Sequence, residues 1–217
     1  MKPPRWILPL IVCCLGAAPL AAAAEKSAAE VNEGSLVFLD HLPLKPVHHH
    51  HNAIQISEGS LDDGWTLLTQ CHENLDRVPA TQIVFNPERI RNLQVVQTRN
   101  IGRAWVEGPS VQLKDVGANA EVCLRADARA LRNHGDGTYT LMNGPFMRRF
   151  LDGYYPMRVS MSVKLLTQRI RFVGIDPVPQ TGFRVWELAD GVNYDAWFEG
   201  RLFTVIRFAT PDGFPVR

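Results

Sequence analysis

Apolar and polar residues alternate at period two along much of the chain, and short turn signals interrupt the alternation. In residues 121–129, Val122, Leu124, Ala126 and Ala128 alternate with Glu121, Cys123, Arg125, Asp127 and Arg129. Successive side chains of a strand point to opposite faces, so this stretch can bury one face and solvate the other. The same alternation runs through Met157, Val159, Met161, Val163 and Leu165, and through Leu202, Thr204, Ile206 and Phe208. Between such stretches stand Asp63-Gly64, Asn86-Pro87, Asp152-Gly153, Asp190-Gly191 and Asp212-Gly213, which favour turns. No stretch keeps helical apolar spacing over three turns, and no solenoid-length period repeats. The expected fold class is all-β.

The loop-like Lys114, Asp115, Val116 and Gly117 precede a long alternating strand, a pattern that resembles immunoglobulin-like and fibronectin-like sandwiches near their second-last strands. Two antiparallel β-sandwich halves of that kind are expected, over 35–134 and 135–217, meeting at the glycine-rich joint 134–137. After the joint, Asn143-Gly144-Pro145 leads into Phe146, Met147, Arg148, Arg149, Phe150 and Leu151. A short helical turn is expected there, capped by Asn143 or Gly144 with Pro145 at its first position. Trp65, Trp105, Trp186 and Trp197 lie in strand-like stretches and are expected to anchor the two cores.

Lys2 and Arg5 precede an apolar run from Trp6 to Leu20, followed by four alanines. This is the form of a secretory signal peptide, expected over 1–24 with a solvated leader over 25–34. The run is short for a membrane span, which needs about 20 residues, and no later segment qualifies. The expected location is a bacterial periplasm. Val12 before Cys13 weighs against lipid attachment, so cleavage removes Cys13 and Cys14 and leaves Cys71 and Cys123. In an oxidising compartment these are expected to pair. Closing that loop constrains the unfolded chain by roughly 4 kcal/mol in the entropy account. Cys71 shares parity with Trp65 and Leu67, whereas Cys123 lies on the charged side of its strand, so a bulge or edge position is expected to reconcile them.

The whole chain carries 23 Lys plus Arg against 22 Asp plus Glu. That balance, with no basic run, offers nothing to hold a phosphate backbone and excludes nucleic acid as the expected partner. The strongest chemical signal is His48, His49, His50 and His51. On a strand, His48 and His50 share one face and His49 and His51 the other. Either pair can offer two imidazoles to copper, zinc or nickel, with His72 or His41 completing the set. The competing reading is a solvated polar loop. Cys71, His72 and Glu73 are adjacent but point alternately, which argues against one reaction centre. Met142, Met147, Met157 and Met161 suit Cu(I) by softness, but flexible core packing is the better account. Arg148 and Arg149 beside Tyr154 and Tyr155 form a candidate ligand or partner surface, against which stands pairing with nearby acids.

The chain lacks a Gly-rich phosphate loop, His-Glu-x-x-His, Gly-x-Ser-x-Gly and Cys-x-x-Cys-His. The expected function is therefore an exported, non-catalytic binding or assembly module for a periplasmic protein or small ligand. The second reading is a metal-handling protein built on the histidine run with His72 or His41. A third, a metal-dependent enzyme, needs an acid such as Glu73, Asp62 or Asp63.

Overall fold

The computed structural model describes Asn32 and residues 34–211. The expected signal peptide and most of the expected leader lie outside the described residues, as does Asp212-Gly213. All elements but one are strands. In chain order they begin with β1 (Val37–Phe38), β2 (His49–Ile56), the single helical turn α1 (Ser60–Asp63), β3 (Trp65–Leu75), β4 (Val78–Val84), β5 (Ile90–Glu107) and β6 (Ser110–Arg129). There follow β7 (Leu131–Asn133), β8 (Thr138–Phe146), β9 (Arg148–Phe150), β10 (Gly153–Tyr155) and β11 (Met157–Leu165). The last are β12 (Arg171–Asp176), β13 (Phe183–Leu188), β14 (Gly191–Glu199) and β15 (Leu202–Ala209).

These strands form a large sheet ordered β1-β14-β11-β2-β3-β6-β4, with β13 on β14 and β5 on β6, and a four-stranded sheet ordered β12-β15-β8-β7. A two-stranded hairpin joins β9 to β10. The described pairings are antiparallel except one: β2 runs parallel to β11, with His49 opposite Arg158 and His51 opposite Ser160. This parallel contact brings strands from both sides of residue 135 into one sheet. The expected joint at 134–137 is the turn between the paired strands β7 and β8.

The two sheets face each other in a sandwich-like arrangement. Between them Ile54, Val159, Met161, Tyr194 and Phe198 of the large sheet meet Leu141, Leu202, Ile206 and Phe208 of the smaller one, all nearly inaccessible. Each such side chain contributes about 1.5 to 3 kcal/mol by leaving water. The alternation in 157–165 and 202–208 is realised as expected, odd residues inward in β11 and even ones in β15. A second cluster, centred on Val111, Leu113, Val122 and Leu124 of β6, packs beneath β4 and β5.

Three local expectations are corrected. Residues 143–151 contain no helical turn: β8 continues to Phe146, and β9 turns back onto β10 with Arg148 opposite Tyr155 and Phe150 opposite Gly153. So short a helix forms few hydrogen bonds to offset its nucleation, whereas the aromatic pair Phe150 and Tyr155, edge to face at 5.3 Å, rewards the hairpin. Residues 114–117 are not a loop but the middle of β6, where Asp115 takes a left-handed conformation at φ 55° opposite an irregular stretch of β5. The four tryptophans among the described residues anchor no core. Trp65, Trp105 and Trp197 are half-buried beneath the guanidinium groups of Arg91, Arg103 and Arg158, and Trp186 is exposed.

Cys71 and Cys123 form a disulfide, and no bulge is needed. The inner face of β3 carries Thr66, Leu68, Gln70 and His72, so Trp65, Leu67 and Cys71 belong to the outer face with Cys123. The apolar bulk of Trp65 and Leu67 does not mark the core side.

Candidate functional site

The centre of the molecule is built on β2 and β3. The inward series of β2 is His50, Asn52, Ile54 and Ile56, and that of β3 is Thr66, Leu68, Gln70 and His72. Antiparallel register sets His50 opposite His72, Asn52 opposite Gln70 and Ile54 opposite Leu68. Polar residues thus face polar ones at one end, and apolar face apolar at the other, which is the arrangement cross-strand pairing favours.

His50, Asn52, Gln70 and His72 are all buried. His50 Nε2 donates to Asn52 Oδ1 at 2.9 Å, and Gln70 Nε2 donates to His72 Nε2 at 2.7 Å. Since Nε2 of His72 accepts, its Nδ1 carries the proton and donates to His48 Nε2 at 3.0 Å. The His50 ring meets His72 edge-on at 4.4 Å and Phe146 at 4.9 Å. Burial opposes the imidazolium form throughout. It brings His48 down to about 4 and His50 to about 3, and holds His72 well below the usual histidine value. The three rings are neutral at physiological pH.

Of these side chains, His50, Asn52, Gln70 and Phe146 border a cavity of about 730 Å³. His50, Asn52 and Gln70 supply buried polar groups, Ile54, Leu68 and Phe146 apolar wall, and exposed residues such as Glu88 and Arg129 lie along its rim. The volume falls within the range of small-molecule sites.

The outer face of the same strands carries a separate set. His49 Nε2 and His51 Nδ1 approach Ser160 Oγ of β11 at 2.7 and 2.8 Å, and His49 Nδ1 lies 3.3 Å from Glu73 Oε2. Burial lowers both rings' affinity for a proton, aided at His49 by the positive charge of Arg158 and opposed by Glu73. Arg158 is held by Asp195, its Nε 2.8 Å from Oδ1.

The histidines expected to act together are divided as their alternation requires, with His48, His50 and His72 inside and His49 and His51 outside. His41 joins neither group; it is exposed and its Nδ1 meets Asp40 Oδ1. The inner imidazoles pass hydrogen bonds to one another and to amides, and among the described residues no three His, Cys, Asp or Glu side chains are arranged to hold a metal ion. Met157 and Met161 are core, while Met142 and Met147 are exposed on a different part of the chain. Arg148 is gripped by Asp76 through two contacts, 2.6 and 3.2 Å, and lies over Phe150 and Tyr155. Tyr154 is buried and accepts a hydrogen bond from Arg201, while Arg149 lies over its ring and the Tyr155 hydroxyl donates to Asp152.

Sequence reasoning missed Ser160, Asn52 and Gln70. Ser160 was readable only as a polar position in the alternation of β11, and Asn52 and Gln70 only as polar residues on strands.

No known family matches the sequence, and no curated protein matches it. The structure is similar to that of an M1 zinc metallopeptidase from Deinococcus radiodurans, at a TM-score of 0.39 and 11% identity over 83% of this chain and 43% of that one. A variant of a two-domain M1 zinc metallopeptidase bound to L-tryptophan is similar at 0.39 and 10%, over 83% and 44%. The chain spans less than half the length of either, and similarity at this level carries no functional argument. Among the described residues no helix is long and apolar enough to cross a membrane.

Proposed function

We propose that this protein is an exported binding module whose cavity takes up a small uncharged ligand with an apolar body and one hydrogen-bonding end. The observation that carries this reading is the meeting of three buried polar side chains, His50, Asn52 and Gln70, with the apolar Ile54, Leu68 and Phe146 in a cavity of about 730 Å³. A few fixed polar groups on an apolar lining orient a ligand without demanding charge. Because the buried imidazole is neutral, a ligand end held beside it is fixed by hydrogen bonding rather than by pairing of charges. Amide, carbonyl or hydroxyl ends suit the site. The disulfide fits an oxidising compartment such as a bacterial periplasm.

The test is ligand-observed NMR on the purified protein. Its probes are aromatic and aliphatic amides and alcohols, with carboxylates and hydrocarbons of the same size as controls. Amides or alcohols should bind, and the signal should fall at least tenfold with Gln70→Leu. Binding by carboxylates instead, or binding that Gln70→Leu leaves intact, rejects the cavity reading.

A further inference from the structure

The outer face holds chemistry that the cavity does not use. Glu73, His49 and Ser160 come from three neighbouring strands, β3, β2 and β11, and project from the same side of the sheet. Their hydrogen bonds have a determined direction. An ionised carboxylate only accepts, so His49 Nδ1 carries the proton and donates to Glu73 Oε2 at 3.3 Å. The neutral ring then presents an unprotonated Nε2, and the Ser160 hydroxyl donates to it at 2.7 Å. With its proton committed to His49, Ser160 Oγ accepts the hydrogen bond from His51 Nδ1 at 2.8 Å. The order carboxylate, imidazole, hydroxyl is the one that activates a serine: a base within reach of the nucleophile, itself oriented by a third group.

The surroundings suit that task. Burial keeps His49 neutral, and Glu73 favours the protonated ring. Arg158 stands opposite His49 in the strand register, two residues before Ser160 and on its face. Its guanidinium lies over the Trp197 ring at 5.1 Å, setting a positive charge and a half-buried aromatic surface on the same face as the hydroxyl. Asp195, opposite Ser160 in the pairing of β11 with β14, accepts from Arg158 Nε at 2.8 Å and offsets that charge.

We propose that Ser160 is a nucleophile activated by His49 and Glu73, and that the outer face of the sheet hydrolyses small carboxylic esters through an acyl-serine. Ser160 Oγ attacks the ester carbonyl carbon as its proton passes to His49 Nε2. The tetrahedral centre collapses, the bond to the alcohol oxygen breaks, and the alcohol leaves with the proton from His49. Water then attacks the acyl carbonyl and gives a proton to His49 Nε2. The bond to Ser160 Oγ breaks, the oxygen recovers that proton, and the carboxylic acid departs. His49, His51 and Ser160 are half-buried, so the substrate is a small ester with a good leaving group. Glu73 is a positioning residue: it fixes the His49 tautomer and does not touch the substrate. This activity is separate from ligand uptake on the inner face.

The experiment treats the purified protein with an alkyl fluorophosphonate, which phosphonylates activated serines, and follows intact mass and the peptide map. One adduct is expected, on Ser160. Its rate should climb with pH and level off at or below about pH 6.5, the ordinary histidine value. His49→Gln should slow labelling at least a hundredfold with unchanged circular dichroism, and Glu73→Gln at least tenfold. Ser162→Ala, which alters the neighbouring outward serine of β11, should label like the parent. No adduct on the unaltered protein, an adduct elsewhere than Ser160, or a rate indifferent to His49→Gln overturns the proposal. The first of these requires no variant to fold.

Discussion

Cys71 and Cys123 stand directly opposite one another in the pairing of β3 with β6, their Cα atoms 4.1 Å apart and their sulfurs joined. They bridge adjacent strands on the outer face, beside the pairing of His51 with Cys71. The bond closes a separation of 52 residues.

Reduction should therefore destabilise the fold chiefly by freeing the unfolded chain. Urea unfolding of the oxidised protein and of a Cys71→Ala/Cys123→Ala variant should differ by about 2 to 4 kcal/mol. Coincident transitions would mean that the bond does not constrain the protein in solution.

The inner histidines make stability depend on acidity. His48 and His50 stay neutral in the folded protein down to about 4 and about 3, while in the unfolded chain each takes a proton near the ordinary histidine value. Below that value the unfolded state binds more protons, so acid favours unfolding. Stability should be level above about pH 7 and fall from about pH 6.5 toward the folded values, by up to about 1.4 kcal/mol per pH unit for each histidine. Denaturant unfolding between pH 7 and 4.5 checks this, and His50→Gln should make the fall shallower by about one such increment.

The Arg148 and Asp76 pair ties the β9–β10 hairpin to the segment after β3. It is bidentate but partly open to water, which limits its worth to about 1 kcal/mol. A double-mutant cycle with Arg148→Ala and Asp76→Ala should return a coupling of that size. Arg149→Ala should alter stability by less than about 0.5 kcal/mol.

Phe146 closes one wall of the cavity and meets the His50 ring edge-on. Phe146→Ala should cost about 3 to 5 kcal/mol, from lost burial and the void left behind. In ligand-observed NMR the same variant should accept bulkier amides than the parent does.

The fold class was legible because period-two alternation admits few other solutions. Val122, Leu124 and Ala126 in β6, and Met157, Val159, Met161 and Val163 in β11, lie on the faces their spacing assigns. The alternation failed where side-chain size misled, as at Trp65 and Leu67, whose outer face is covered by neighbours such as Arg91 rather than by the core. It failed again at 143–151, where local capping chemistry suggested a helical turn and cross-strand aromatic pairing supplied a hairpin. The division of the histidine run was legible, since adjacent residues on a strand must part to opposite faces. The partners of each side were not.

The sequence by itself determined that this chain folds into strands and that 48–51 presents imidazoles to both sides of one strand. Each follows from covalent geometry acting over a few neighbouring residues. Only the tertiary structure decided that β2 runs beside β11, a parallel contact between segments more than a hundred residues apart. That register sets Ser160 against His49 and His51, and the β2–β3 register sets His50 against His72 and Asn52 against Gln70. Register is chosen by the summed burial of whole strand faces against their partners. No local stretch contains that sum, so the cavity and the serine site emerge only when the sheet is assembled.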